Sequence, residues 1–349
     1  MEEQEKKKRG CCLPVLIALL LVLVLLVAAV AIGYKAILSK IPRVDKENEV
    51  TLSEEEIQAI EQETDPVEEI PQDVTVPQET VEEMTAPVAE EIILENEGHI
   101  INILLIGQDR RPGEGRQRSD SMILCTINTQ KKTLVMTSFL RDLYVDIPDW
   151  RGRSYLDNRL NACYAFGGMG MLDLALKQNF GVQVDHNIEV DFSGFEDILE
   201  LVGGVNVYMS NAEARYLSAV HSKNFVEGIN YLNAQEALNF SRLREIDSDF
   251  GRTNRQRRVL SAMFDSIKGM NYDQMAALVN KILPMITTDM KDGDITRYMM
   301  EILPILPQLQ LSTQYIPANG TYRNASIRGM AVLVPDFGAN IAILRDTIA

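Results

Sequence analysis

Histidine and cysteine are scarce in this chain of 349 residues, which holds three of the first and four of the second. Cys11 and Cys12 are neighbours, whereas Cys125 and Cys163 stand alone, so there is no CxxC pair and no zinc spacing. Cys11 and Cys12 are either acylation sites at a membrane boundary or apolar filler; Cys125 and Cys163 are either bonded or two buried thiols. His99, His186 and His221 are scattered, with no HExxH and no nucleophile beside them, which leaves a zinc hydrolase or a serine triad unsupported. A net basic character is also missing. With 50 acidic against 34 basic residues the formal charge is −16, which argues against a general nucleic-acid binder. That acidity is local: from Asp45 to Gly98 there are nineteen acids and one lysine, so the rest of the chain carries +2.

What is present divides the chain into four parts. Residues 1–12 contain Lys6, Lys7, Lys8 and Arg9, and 13–33 form an apolar run of 21 residues. At roughly 1.5 Å per residue such a run crosses a hydrocarbon core of about 30 Å. The preceding lysines place the N-terminus in the cytoplasm and everything after Tyr34 outside. A cleaved signal peptide ending at Ala29-Val30-Ala31 is the competing reading, but its apolar core is usually only about 7–15 residues long. The expectation is therefore a single-pass anchor. Residues 34–98 read as an acidic, proline-punctuated tether, largely disordered, with TLSEEEIQAIEQE as a short helix capped by Ser53.

Residues 99–349 read as the folded domain. INILLIG, SMILCTIN and TLVMTSF suit buried strands, and alternating helical and extended patterns follow. Helices are expected at 158–166, 170–179 and 194–202, and strands at 187–192 and 205–209. Further helices are expected near 273–285, 293–302 and 339–347, and strands near 310–316 and 330–334. The fold class expected is α/β, a central mixed sheet flanked by helices.

The stretch FSRLREIDSDFGRTNRQRR, 240–258, carries six arginines and no lysine. Arginine presents a planar fork of donors that matches phosphate or carboxylate oxygens in pairs. From Gly251 the spacing of Val259, Leu260, Met263, Phe264 and Ile267 predicts a helix. On its wheel Arg252 and Gln256 point inward, Arg255 and Arg257 lie on the flanks, and Arg258 points away. An inward arginine needs an anion, and a helix N-terminus favours one. Arg242 and Arg244 share a face if their segment is extended. Glu245, Asp247 and Asp249 are the internal carboxylates that compete for these arginines.

Two further clusters leave the ends of apolar strands, GQDRRPGEGRQRSDS and SFLRDLYV. Asp109 and Asp120 supply oxygens suited to magnesium (or manganese), and Arg111, Arg118 and Arg141 add donors. Taken in order, the blocks GQDRR, RSDSM, SFLRD, RLNACYAFGG, DFSGFEDILELVGGVNV, LNAQEALNF and SRLR…DSDFGRTNRQRRVL resemble the LytR-CpsA-Psr (LCP) family of bacterial cell-envelope phosphotransferases across roughly 99–270. Leu140 departs from the proline usual there, Arg159-Leu160 from Lys-Ile, and Cys163 from a frequent histidine.

The resemblance implies a cell-membrane enzyme with an extracellular domain. Such enzymes transfer a phosphorylated glycopolymer, such as teichoic acid or capsule polysaccharide, from an undecaprenyl-pyrophosphate lipid to a peptidoglycan hydroxyl. It implies pyrophosphate binding by Arg111, Arg118, Arg141, Arg242, Arg244, Arg252 and Gln256, with Arg141, Arg244 and Asp109 catalytic and Asp109 and Asp120 on the metal. Asp109 and Asp249 are both open as the general base. The alternatives are a lipid-pyrophosphate phosphatase that uses water, and a non-enzymatic envelope regulator.

Overall fold

The computed structural model describes residues 35–49, 52–62, 98–108, 116 and 118–348. The tail 1–12, the apolar run 13–33, Asp109 and Arg111 lie outside them. Among the described residues no helix is long and apolar enough to cross a membrane. The chain up to Ile41 forms one unit, described only from Lys35, where a helical turn begins; residues 42–349 form the other.

In the larger unit, helix α1 (Glu54–Glu61) precedes β1 (Ile100–Gln108), β2 (Ser119–Asn128) and β3 (Thr133–Phe139). Two short strands follow, β4 (Tyr144–Val145) and β5 (Asn158–Arg159), then α2 (Leu160–Phe180) and β6 (His186–Asp191). Next come α3 (Phe192–Val202), β7 (Val205–Met209), α4 (Asn211–His221), β8 (Gly228–Leu232), α5 (Ala234–Arg242) and α6 (Asp249–Lys268). The chain closes with α7 (Tyr272–Ile282), β9 (Thr287–Thr288), α8 (Asp292–Ile302), β10 (Gln310–Ile316), β11 (Tyr322–Ile327), β12 (Met330–Pro335) and α9 (Phe337–Ile348).

The central sheet has six strands in the order β10-β3-β2-β1-β6-β9. The pairs β1–β2, β2–β3 and β6–β9 are antiparallel, and β1–β6 and β3–β10 are parallel, so the sheet is mixed. Successive side chains of a strand face opposite ways. Leu104, Ile106, Met122, Leu124 and Phe139 join the core that holds α2. Ile103 and Ile123, on alternate positions, are buried as well. Both faces are thus covered, which is why β1 reads as a continuous apolar run. A second core unites α3, α4, α5 and α6 with the antiparallel pair β7–β8.

Helix α2 runs through the two segments that the sequence separates at Gly168, because the glycine kinks the helix with φ 66° and ψ −149° instead of ending it. Beyond the elements expected are α4, β8 and β11, together with the two-residue strands β4, β5 and β9. Helix α1 has the expected cap: the Ser53 hydroxyl accepts from the Glu56 N–H, and the Glu56 carboxylate accepts from the Ser53 N–H at 2.8 Å. This helix is packed, with Ile57 in the main core and Leu52 and Ile60 against it. Ahead of it, Lys46 Nζ meets Asp173 at 2.9 Å and Asp289 at 3.0 Å. Two pieces of the segment read as a tether, 42–49 and 52–62, therefore lie on the domain.

Candidate functional site

The start of β2 lies beside the end of β3, because the two run antiparallel with Met122 opposite Phe139. Asp120 sits at that start, and the chain leaves β3 through Leu140, Arg141 and Asp142. Three backbone bonds fix this exit. The Leu140 N–H donates to the Ile316 carbonyl at 2.8 Å, the Leu160 N–H to Leu143 at 2.7 Å, and the Asn161 N–H to Arg141 at 3.3 Å. The N-terminus of α6 comes to the same place, with Asp249 and Arg252 in its first turns.

Asp120 is the hub. Its Oδ1 accepts from Arg141 Nη1 at 3.0 Å and from Arg244 Nη2 at 3.3 Å, and its backbone carbonyl accepts from Arg252 Nη2 at 3.3 Å. Arg252 also pairs with Asp249, whose Oδ1 lies 3.5 Å from Arg141 Nε. Arg141 Nε stands 3.6 Å from Asp142, which Arg159 Nε approaches at 3.4 Å. Three arginines thus converge on Asp120, two on its carboxylate and one on its backbone carbonyl.

Their exposure differs sharply. The Arg244 side chain is half open at 51%, that of Arg141 is at 26%, and Arg252 is 2% exposed. Nε and Nη1 of Arg252 are buried without a hydrogen bond among the described residues. Burial pushes its guanidinium down to about 10, with Asp249 pulling the other way, so it stays charged at neutral pH. Around Arg141 burial also opposes the charge, but Asp142, Asp249 and Asp120 outweigh it and raise the group. Burial raises the Asp249 carboxyl, whose Oδ2 has no hydrogen bond among the described residues. Unmet buried donors and like-charged neighbours held at a helix N-terminus are the physical requirements of an anion site.

The other expected members stand around this core. Gln256, one turn after Arg252, is half-buried, and its amide makes no hydrogen bond among the described residues. Arg242 is exposed in the last turn of α5, and Arg118 donates from Nη2 to the Ile60 carbonyl at 3.3 Å. Asp142 and Arg159 join the cluster without having been singled out; SFLRD and the N-cap of α2 hold the signal, which only the β3 exit brings together.

Two expectations from the helical wheel are corrected. Arg255 and Arg257 are buried and not on the flanks. Asp247, just before α6, takes Arg255 through paired bonds of 2.8 and 2.7 Å, and Glu213 adds one of 3.3 Å. Arg258 does not face solvent freely: it pairs with Glu213 and donates to the Tyr208 carbonyl at 2.6 Å. The wheel used only the apolar residues of α6, whereas α4 and the segment before α6 cover other faces with acids. Cys125 and Cys163 are free thiols.

Asp120 presents Oδ1 to both arginine side chains, so Oδ2 is the oxygen suited to a cation. Among the described residues no group of three or more His, Cys, Asp or Glu side chains is placed to hold a metal ion. The carboxylate chemistry fits a hard cation that takes few protein ligands and keeps phosphate oxygens and water.

The family model described as the LytR_cpsA_psr family matches residues 59–335. The chain is 35% identical over 179 residues to the polyisoprenyl-teichoic acid–peptidoglycan teichoic acid transferase TagU of Bacillus mycoides (strain KBAB4). That alignment takes in 51% of this chain and 55% of the TagU chain, so the chain spans about half the length of this curated relative. Among solved structures, it is similar to TagT bound to LIIa-WTA, with TM-score 0.58 and 24% identity over 72% of this chain and 90% of that one. It is similar also to TagV of B. subtilis, with TM-score 0.58 and 24% identity over 72% and 96%. At that identity the likeness establishes the fold.

Proposed function

The chain belongs to the LytR-CpsA-Psr family, and on that footing we propose that it transfers a phosphorylated glycopolymer from a polyprenyl-pyrophosphate lipid to a peptidoglycan hydroxyl. The observation that carries this reading is Arg252: a buried guanidinium with two unmet donor nitrogens, held beside Arg141 and Arg244. The TagU relative, named for transfer of teichoic acid to peptidoglycan, supports the choice of substrates.

The pyrophosphate lies across the three arginines, with Arg242, Arg118, Arg111 and Gln256 around it. Phosphoryl transfer depends on alignment and charge neutralisation more than on covalent help from the protein. The acceptor hydroxyl oxygen forms a bond to the sugar-linked phosphorus while the P–O bond to the polyprenyl phosphate breaks. Arg141 and Arg244 neutralise the charge that builds on the phosphoryl oxygens and the departing phosphate. The acceptor proton passes to a carboxylate, and Asp249, with its raised affinity for a proton and its unbonded Oδ2, is the described residue suited to take it. Magnesium (or manganese), held by Asp120 with Asp109, would withdraw further charge from the pyrophosphate when bound.

Purified full-length protein is incubated with a radiolabelled lipid-linked glycan and peptidoglycan fragments. Label entering peptidoglycan is the expected result. Label released only as free phosphorylated glycan makes the protein a phosphatase, and label that stays on the lipid removes both enzymatic readings.

A further inference from the structure

Arg257 has no place in the cluster described above. It is 6% exposed, its Nε and Nη1 are buried without a hydrogen bond, and no carboxylate pairs with it among the described residues. Its guanidinium lies over the ring of Tyr315, with the guanidinium carbon 5.1 Å from the centroid. An aromatic face offsets part of the cost of burying a cation and meets none of its N–H donors. The neighbouring arginines differ in this respect, since Arg255 is held by Asp247 and Glu213, and Arg258 by Glu213.

Arg257 borders a pocket of about 210 Å3 between β7, α6 and β10. Asn206, Asn254, Ser261 and Thr313 bring amide and hydroxyl groups to the same space. Asn206, Asn254 and Thr313 are exposed, so the pocket opens to solvent above a buried cation. Asp265 is the carboxylate on its lining, and it makes no ion pair with Arg257.

We infer that this pocket is a second oxyanion site, taking a phosphate-class group on Arg257 with the amides and hydroxyls around it. A tetrahedral oxyanion uses the fork of an arginine and accepts from amide and hydroxyl donors together. Both a phosphodiester within an anionic polymer and a free phosphate ion carry that chemistry. The site shares no residue with Asp120, Arg141, Arg244 or Arg252, so it stands or falls independently of the transfer reaction.

The test uses full-length protein carrying Arg252→Gln, to weaken phosphate binding at the first cluster, and the same protein with Arg257→Gln added. Each is melted against rising inorganic phosphate and, separately, a short oligo(glycerol phosphate). The expected result is a saturable rise in melting temperature for the first protein and at least a tenfold weaker dependence for the second. General salting effects of phosphate are common to both and cancel. Tighter binding of the oligomer identifies a polymer phosphodiester as the ligand; tighter binding of inorganic phosphate identifies the free ion. Equal phosphate dependence in the two proteins overturns the site. Asn254→Asp, an exposed change that leaves Arg257 in place, repeats the comparison if the double variant does not fold. It should abolish the phosphate dependence, and an unchanged dependence there also overturns the proposal.

Discussion

Glu213 shows how the arginine-rich stretch divides between structure and chemistry. It takes Arg255 at 3.3 Å and pairs with Arg258, while its own carboxylate closes the cap of α4 on the Ser210 N–H at 2.8 Å. Burial pushes its carboxyl up, but the Arg258 hydrogen bond, the Ser210 N–H and Arg255 outweigh that and hold it below the ordinary 4.5. A lowered carboxylate stabilises the fold above its unfolded value, and that contribution is lost as pH falls through the folded value. Glu213→Gln is therefore expected to cost about 3–5 kcal/mol at pH 7, the usual effect of stripping one partner from a buried pair. The deficit should shrink as wild type and variant are titrated with urea at pH values from 7 down through 4. The sequence shows six arginines between residues 240 and 258. It does not show that two of them answer to an acid on another helix, because Glu213 is 42 residues from Arg255 in the chain. At the opposite pole, Asp120→Asn removes the charge that aligns Arg141 and Arg244 and the oxygen proposed for the cation. Transfer should fall at least tenfold and lose its response to added magnesium; retention of a normal magnesium response would take the metal away from Asp120.

Helix α2 is where a local sequence rule and the packed structure part. Gly167-Gly168 reads as a boundary, since glycine weakens a helix by roughly 1 kcal/mol. In the fold, Gly168 lets the helix turn a corner around Glu49, which accepts from the Met169 N–H at 2.9 Å and pairs with Arg116. A Cβ added at Gly168 would collide with the Glu49 carboxylate, on a backbone that only glycine adopts readily. Gly168→Ala should lower stability by at least about 1–3 kcal/mol in urea unfolding. An unchanged midpoint would show that the kink does not depend on the missing side chain. Strands whose pattern is strong are legible in the same way: β1, β7 and β10 stand where their apolar spacing puts them. Strand β8 escapes because alternate residues face solvent, with Ile229 at 75% and Tyr231 at 53% exposed, so an apolar pattern marks no core. Strand β11, YRNASI, is polar for half its length and exists through pairing with β12. Helix α4 carries a legible signal in Ser210 and Glu213, a capping box that the apolar period alone overlooks.

The chain as a whole combines an N-terminal apolar run with a domain whose arginine cluster suits a lipid-linked pyrophosphate. On the single-pass topology expected from the lysines before Leu13, a reporter fused after Ala349 should be active only outside the cell; mature protein free in the medium and starting near Ile32 would instead mean cleavage. The site was legible in its residue types and order, because Asp120, Arg141, Arg244 and Arg252 each end or begin an apolar element. Its geometry was not, since the start of β2, the exit of β3 and the stretch from Arg244 to Arg252 meet only in the fold. The measurement that bears most directly on the proposed pyrophosphate site is the transfer rate of Arg252→Lys from a labelled lipid donor. Lysine keeps the charge and loses the fork. Transfer should fall roughly ten- to a hundredfold, about 1.5–3 kcal/mol for a charge-assisted bond, while Arg345→Lys, on the exposed last turn of α9, stays at the wild-type rate. Wild-type transfer and lipid affinity in Arg252→Lys would contradict the pyrophosphate site.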